Sequence, residues 1–213
     1  MKTERKITEA EKKRMERFRE KAESLKAEGY EESEHTIPIV SANILAVLIM
    51  LPFVAVIAVP YLLRHGINRP ESFQSYLLNL LLFVILAAAE MALHEGIHGL
   101  TWGFLSPDGF STIEFGFIKE YLTPYCYCGT PLTKGQYMVG SMMPTLFLGF
   151  LQGLLAVRTG SFLLFVLSVV LMIGGGGDFL IDYLLLRYKK KKKTLILMDH
   201  PTELGFVAFE KNG

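Results

Sequence analysis

The sequence is poor in cysteine, in tryptophan and in charge along its middle, and each shortage narrows what it can be. Two cysteines, Cys126 and Cys128, separated by a single residue, do not make a disulfide framework. With no second pair to complete four ligands they form a poor metal site, and they read as ordinary reduced thiols. Basic and acidic residues nearly balance, 22 against 21 in 213 residues. No broad basic face interleaved with aromatics is present, so nucleic acid is not an expected partner. The first residues mix Lys with Glu and are not expected to form a cleavable signal peptide. No charged residue at all occurs between Pro38 and Leu63.

What is abundant is apolar sequence, 51% of the chain, gathered between charged ends. That distribution predicts a mainly α, polytopic membrane protein with four transmembrane helices and a small β-hairpin at the membrane boundary. Residues 1–36 read as a charged, cytosolic amphipathic helix. Thr8 and Glu11 form its capping box, Gly29 its stop, and Met15, Phe18, Ala22 and Leu25 a thin apolar stripe. The stripe suits a bilayer surface or a partner, and a solvated helix is the plain alternative. Residues 37–188 form a four-span core, with spans near 37–63, 73–102, 136–157 and 162–186. Pro52 and Pro60 fall inside the first span, where kinks are expected. Arg64 to Glu71 makes a short polar connection. Between spans two and three, Thr112 to Phe117 alternates like a strand, and Tyr121 to Thr130 is β-prone but interrupted by Pro124, as an edge strand tolerates. Residues 189–213 hold a basic cluster, Lys189 to Lys193, and a short cytosolic β-prone tail. The cluster is expected to contact anionic lipid and, by the positive-inside bias, to keep both chain ends cytoplasmic.

The second span ends in His94-Glu95-Gly96-Ile97-His98. Residues four apart on a helix share one face, so both imidazoles reach one metal ion, and Glu95 is placed to take a proton from its water. Glu90, one turn earlier, either orients a ligand imidazole or pairs with a polar group on a neighbouring helix. The fourth span carries Gly174-Gly175-Gly176-Gly177-Asp178 and then Asp182. Four glycines are weak helix formers, tolerated in a bilayer where protein covers the backbone or a cavity faces it. With both ends on one side, spans two and four run the same way. His94 and Asp178 each lie roughly eight residues from the inner end, about 12 Å deep at 1.5 Å per residue. A carboxylate at that level completes a His94, His98, Asp178 site with a fourth position for water; Asp182 is the alternative third ligand. Zinc is the cofactor such ligands favour.

The chain resembles the zincin-like integral membrane metallopeptidases of unknown function, related in plan to site-2 proteases. The likeness rests on His94-Glu95-Gly96-Ile97-His98, on Gly176-Gly177-Asp178, and on Asp199-x-Pro201 with Gly205-Phe206 in the tail. Where site-2 proteases carry Leu-Asp-Gly, Asp178 is followed by Phe179, and Pro144 has no Asn beside it. The resemblance implies intramembrane zinc proteolysis, which the residues reach on their own: Glu95 as general base, Zn2+ bound, and a single-span or membrane-anchored protein as substrate. The alternatives are a catalytically silent zinc-binding module that engages a membrane partner, and a small transporter.

Overall fold

In the computed structural model, residues 8–67, 72–118 and 123–212 are described. Of the polar connection expected from Arg64 to Glu71, Arg64 and His65 belong to the first long helix, while residues 68–71, and also 119–122 with Tyr121, lie outside the described residues. Helix α1 (Glu9–Ala27) starts at the expected capping box, in which the Glu11 backbone N–H donates to Thr8 Oγ1 at 3.3 Å and the Thr8 N–H to Glu11 Oε2 at 2.8 Å. The charged segment is not helical to residue 36. Gly29 turns the chain with a φ of 92°, and Glu31–Thr36 forms strand β1. This strand, Glu-Glu-Ser-Glu-His-Thr, has no apolar alternation to announce it, and tertiary pairing alone makes it a strand.

Its partner is the tail. β4 (Thr194–Asp199) and β5 (Gly205–Lys211) form the expected hairpin, and β1 adds antiparallel to the other side of β5, giving the order β1-β5-β4. β5 is buried along nearly its whole length because both faces of this sheet are covered. Val207, Phe209 and Met198 meet Phe18, Ala22 and Leu25 of α1. On the opposite face, Phe206, Ala208 and Leu197 pack into a cluster with Trp102, Tyr137 and Leu185. The stripe on α1 therefore docks on the chain's own tail, and residues 9–36 and 194–211 build one unit.

Among the described residues, three helices are long and apolar enough to cross a membrane, or four if a bent pair is counted as one span. α2 (Ile39–His65) is one continuous helix through Pro52 and Pro60. α3 (Phe73–Leu105) carries the His motif near its C-terminal end. The third span is α4 (Lys134–Pro144), a π-helical stretch at Thr145–Leu151, and α5 (Gln152–Thr159). The π stretch begins where Pro144 withholds a backbone donor, the kind of local widening that often marks a functional site. The fourth is α6 (Phe162–Gly174) and α7 (Gly176–Arg187), bent by 44° within the glycine run. The bend passes where no side chain fits. A Cβ on Gly175 would lie 1.9 Å from Thr145 Oγ1, and one on Gly176 would lie 2.7 Å from the Ala46 carbonyl oxygen of α2.

Between α3 and α4, β2 (Ile113–Ile118) and β3 (Thr123–Cys128) form the expected antiparallel hairpin. The Gly129 N–H donates to the Thr112 carbonyl at 2.9 Å. In an antiparallel ladder paired residues alternate, so the ladder bonds fall at 114/127, 116/125 and 118/123. Pro124 thus occupies an outward position and breaks no ladder bond. Phe115 and Phe117 present their backbone groups along the outer edge of β2, while the Ile113 N–H caps the preceding turn by donating to the Phe110 carbonyl.

Candidate metal centre

His94 and His98 sit one turn apart on the inward face of α3, both buried. Asp178 comes from the first turn of α7, just past the bend. His94 Nε2 lies 3.2 Å from His98 Nε2 and 3.2 Å from Asp178 Oδ2, and His98 Nε2 lies 3.4 Å from the same oxygen. Donors about 2.0–2.1 Å from a tetrahedral zinc are about 3.3–3.4 Å apart, so three atoms already stand close to the corners such an ion requires. Among the described residues no other His, Cys, Asp or Glu joins this cluster.

The ligand orientations have identifiable causes. His98 Nδ1 donates to the Gly140 carbonyl at 2.9 Å, which puts the proton on Nδ1 and leaves the Nε2 lone pair for a metal. Trp102 stacks on the His98 ring, centroids 5.0 Å apart and planes within 14°. The Trp102 indole N–H donates to the Tyr137 carbonyl at 3.1 Å. His94 Nδ1 and Thr145 Oγ1 are both buried without a hydrogen bond, and the Gly175 position separates them. The Asp178 side chain is 25% exposed, so the centre opens on that side.

Glu95 is half-buried beside the ligands, and the backbone N–H of Cys126 in β3 is directed at its carboxylate. This follows from the register, since Cys126 opposes Phe115 at an outward position of the ladder. The next outward donor, the Cys128 N–H, goes to Asp199 Oδ2 at 2.8 Å. On the edge of β3 that faces the centre, the Cys128 N–H is therefore bonded to Asp199 and the Cys126 N–H faces Glu95. Burial pushes both thiols up, Cys128 to about 12. Neither cysteine is a thiolate near neutral pH, which agrees with their reading as reduced thiols.

Asp182 points elsewhere. Its carboxylate is buried one turn further along α7, with neighbouring Ser141 outside hydrogen-bond geometry, and it does not join the three ligand atoms. Glu90 pairs with a neighbouring helix, accepting from Gln152 Nε2 at 3.2 Å, rather than orienting an imidazole. Sequence reasoning passed over Thr145, Gln152 and Tyr137. Only Thr145 carried a signal, its place directly after a proline in a span.

The family model described as "Putative zincin peptidase" matches residues 87–193, half of the chain and the part that holds all four site residues. No curated protein and no solved structure matches the chain. The family implies zinc as cofactor and a peptidase as activity, and the donor triangle fits that ion. With its H-E-x-x-H helix and third donor inside the matched stretch, the chain belongs to this zincin peptidase family.

Proposed function

We propose that the chain is an intramembrane zinc endopeptidase that cuts membrane-embedded protein substrates near the cytoplasmic leaflet. The observation that carries this reading is the convergence of His94, His98 and Asp178 beside Glu95 on helices of spanning length.

The membrane setting draws support from two features. The first twenty residues of α3 expose apolar side chains on nearly all sides, including Leu77, Leu81 and Ile85, a surface suited to lipid. The second is parity. β1 ends three residues before α2, β4 begins seven residues after α7, and the two strands share one sheet. An even number of crossings must separate them, so the bent pair α6–α7 counts as the fourth span. The positive-inside bias of Lys189 to Lys193 makes the sheet side cytoplasmic. Lys192 is paired with Glu31 at 2.5 Å, while Lys189, Lys190 and Lys191 are exposed and suit anionic headgroups.

His94, His98 and Asp178 would hold the ion. When bound, zinc polarises a peptide carbonyl and makes a water near it acidic enough to lose a proton at neutral pH. Glu95 takes that proton as the water oxygen bonds to the carbonyl carbon. It then delivers the proton to the departing amine nitrogen as the C–N bond breaks. An extended substrate is required, because helical backbone hides its carbonyls. With the site-facing edge of β3 turned to Glu95 and Asp199, the outer edge of β2 at Phe115 and Phe117 is where an added strand would find backbone groups outside the ladder.

The test measures zinc in purified wild type, His94→Ala, Asp178→Ala and Glu95→Gln, together with cleavage of co-expressed single-span proteins. Zinc is expected in wild type and Glu95→Gln, strongly reduced in the two ligand variants, and cleavage only in wild type. Undiminished cleavage by Glu95→Gln sinks the mechanism, and undiminished zinc in Asp178→Ala moves the third ligand to Asp182.

A further inference from the structure

Asp199 stands outside the stretch matched by the family, on the tail strand β4, and no step of the proposed chemistry uses it. Yet its two carboxylate oxygens reach two different parts of the core. Oδ1 accepts from the Tyr137 hydroxyl at 2.5 Å, and Oδ2 accepts from the Cys128 N–H at 2.8 Å. Each bond leads to the centre by a short route.

On one side, Cys128 lies two residues beyond Cys126 on β3, on the same outward edge. Fixing the Cys128 N–H fixes the strand whose Cys126 N–H faces Glu95. On the other side, Tyr137 is fully packed on α4. Its carbonyl holds the Trp102 indole, Trp102 stacks on His98, and three residues further along α4 the Gly140 carbonyl takes the His98 Nδ1 proton. Trp102 fills the space over Gly140, where a Cβ would come within 2.0 Å of the indole nitrogen. Two β-bridge bonds from Leu132 to Leu197, each 2.8 Å, seat β4 against the approach to α4 and so hold Asp199 at this junction.

We propose that Asp199 is a positioning residue for the metal centre, tying β3 and α4 to one carboxylate so that Glu95 and His98 keep their orientation. The proposal rests on the metal-centre reading above. It also assigns the cytosolic sheet a role in the site: the tail closes the frame in which the ligands stand. Burial pushes the Asp199 carboxyl up to about 6, so the group is kept at a position where its charge is unfavourable.

The experiment uses the full chain in detergent or lipid nanodiscs with Asp199→Ala, Asp199→Asn and Tyr137→Phe. Three quantities are read: zinc affinity by competition with a chelator, the emission of Trp102 in metal-free protein, and thermal unfolding. Trp102 is the only tryptophan, so its emission reports the ring on His98 directly. Asp199→Ala is expected to weaken zinc binding by about 10–100-fold, the range for groups that orient metal ligands. It should also shift Trp102 emission, with Tyr137→Phe showing a smaller change in the same direction. If Asp199→Ala does not fold, Asp199→Asn and Tyr137→Phe carry the same comparison. Wild-type zinc affinity and wild-type emission in the folded variants overturn the proposal, even with a lowered melting temperature. A wild type that binds no zinc refutes the metal-centre reading instead, and the emission of Trp102 still decides whether Asp199 sets the ring packing.

Discussion

Replacing Gly175 by alanine tests how tightly the helix bend sets the third ligand. The added Cβ would lie 1.9 Å from Thr145 Oγ1, where real Cβ contacts essentially never fall below 3.0 Å, a shortfall of 1.1 Å. Thr145 cannot simply turn away. It is β-branched and stiff at χ1, fully buried, and its Cβ would itself be 3.2 Å from the new methyl. Either the π-helical stretch or the start of α7 must move. Asp178 is three residues past Gly175, so displacement of α7 opens the 3.2 and 3.4 Å edges of the donor triangle. A displacement near 1 Å far exceeds the roughly 0.2 Å tolerance of a metal site. Overpacking costs about 1–3 kcal/mol of stability, and zinc affinity is expected to fall by at least about tenfold, the range seen when ligand orientation is lost. Chelator competition with zinc on purified Gly175→Ala reads this. Pairing it with Thr145→Ala removes the hydroxyl that causes the clash, so the double variant should regain most of the affinity. Wild-type affinity in Gly175→Ala, or a double variant no better than the single, refutes the argument.

Glu95→Gln should retain zinc and lose about 10²–10⁴-fold in cleavage rate, the range for a general base, measured on a co-expressed single-span substrate. Arg14 is buried beneath α1, donating to Pro201 C=O at 3.2 Å and the Tyr125 hydroxyl at 2.6 Å, paired with Glu114 at 3.3 Å, and lying over the Tyr125 and Tyr127 rings. Glu114 keeps Arg17 as a partner, so Arg14→Met should lose about 2–3 kcal/mol rather than the larger sum of a stranded charge, seen as earlier unfolding and faster proteolysis of α1. Asp199, raised to about 6 from an unfolded value of about 3.9, binds its proton more tightly when folded. Its contribution to stability is therefore fully present below about pH 4 and lost as pH rises through 6, by about 3 kcal/mol. The stability of Asp199→Asn relative to wild type should accordingly rise between pH 4 and pH 7, and a flat difference contradicts the shift. Phe115→Pro removes an outward donor of β2 without a ladder bond and should lower cleavage about tenfold with zinc unchanged; undiminished cleavage excludes strand addition at that edge.

The legible parts of this chain were those with a local signature. Helical spacing of His94 and His98, the capping box at Thr8, and the turn and alternation around Thr112 to Phe117 each predicted what the structure contains. Asp178 was legible because helix rise fixes depth, and the structure brings its carboxylate to both imidazoles. Strand β1 was not, since Glu31, Glu32 and Glu34 give it no apolar face and it is held by backbone pairing to residues 169 to 179 positions away. The engagement of Asp199 by Tyr137 was hidden for the same reason, since it joins residues 62 positions apart.

The pairing of β1 with β5 bears on how the protein matures. Residues 31–36 precede the long apolar helices in the sequence, and their partner, residues 205–211, follows them. During translation β1 stays without this partner until all the intervening helices have been made. The sheet can form only once residues 205–211 exist, and with it the packing of Leu197 and Phe206 against Trp102 and Tyr137. A nascent chain thus carries its two histidines before the packing around Trp102 and Tyr137 is in place.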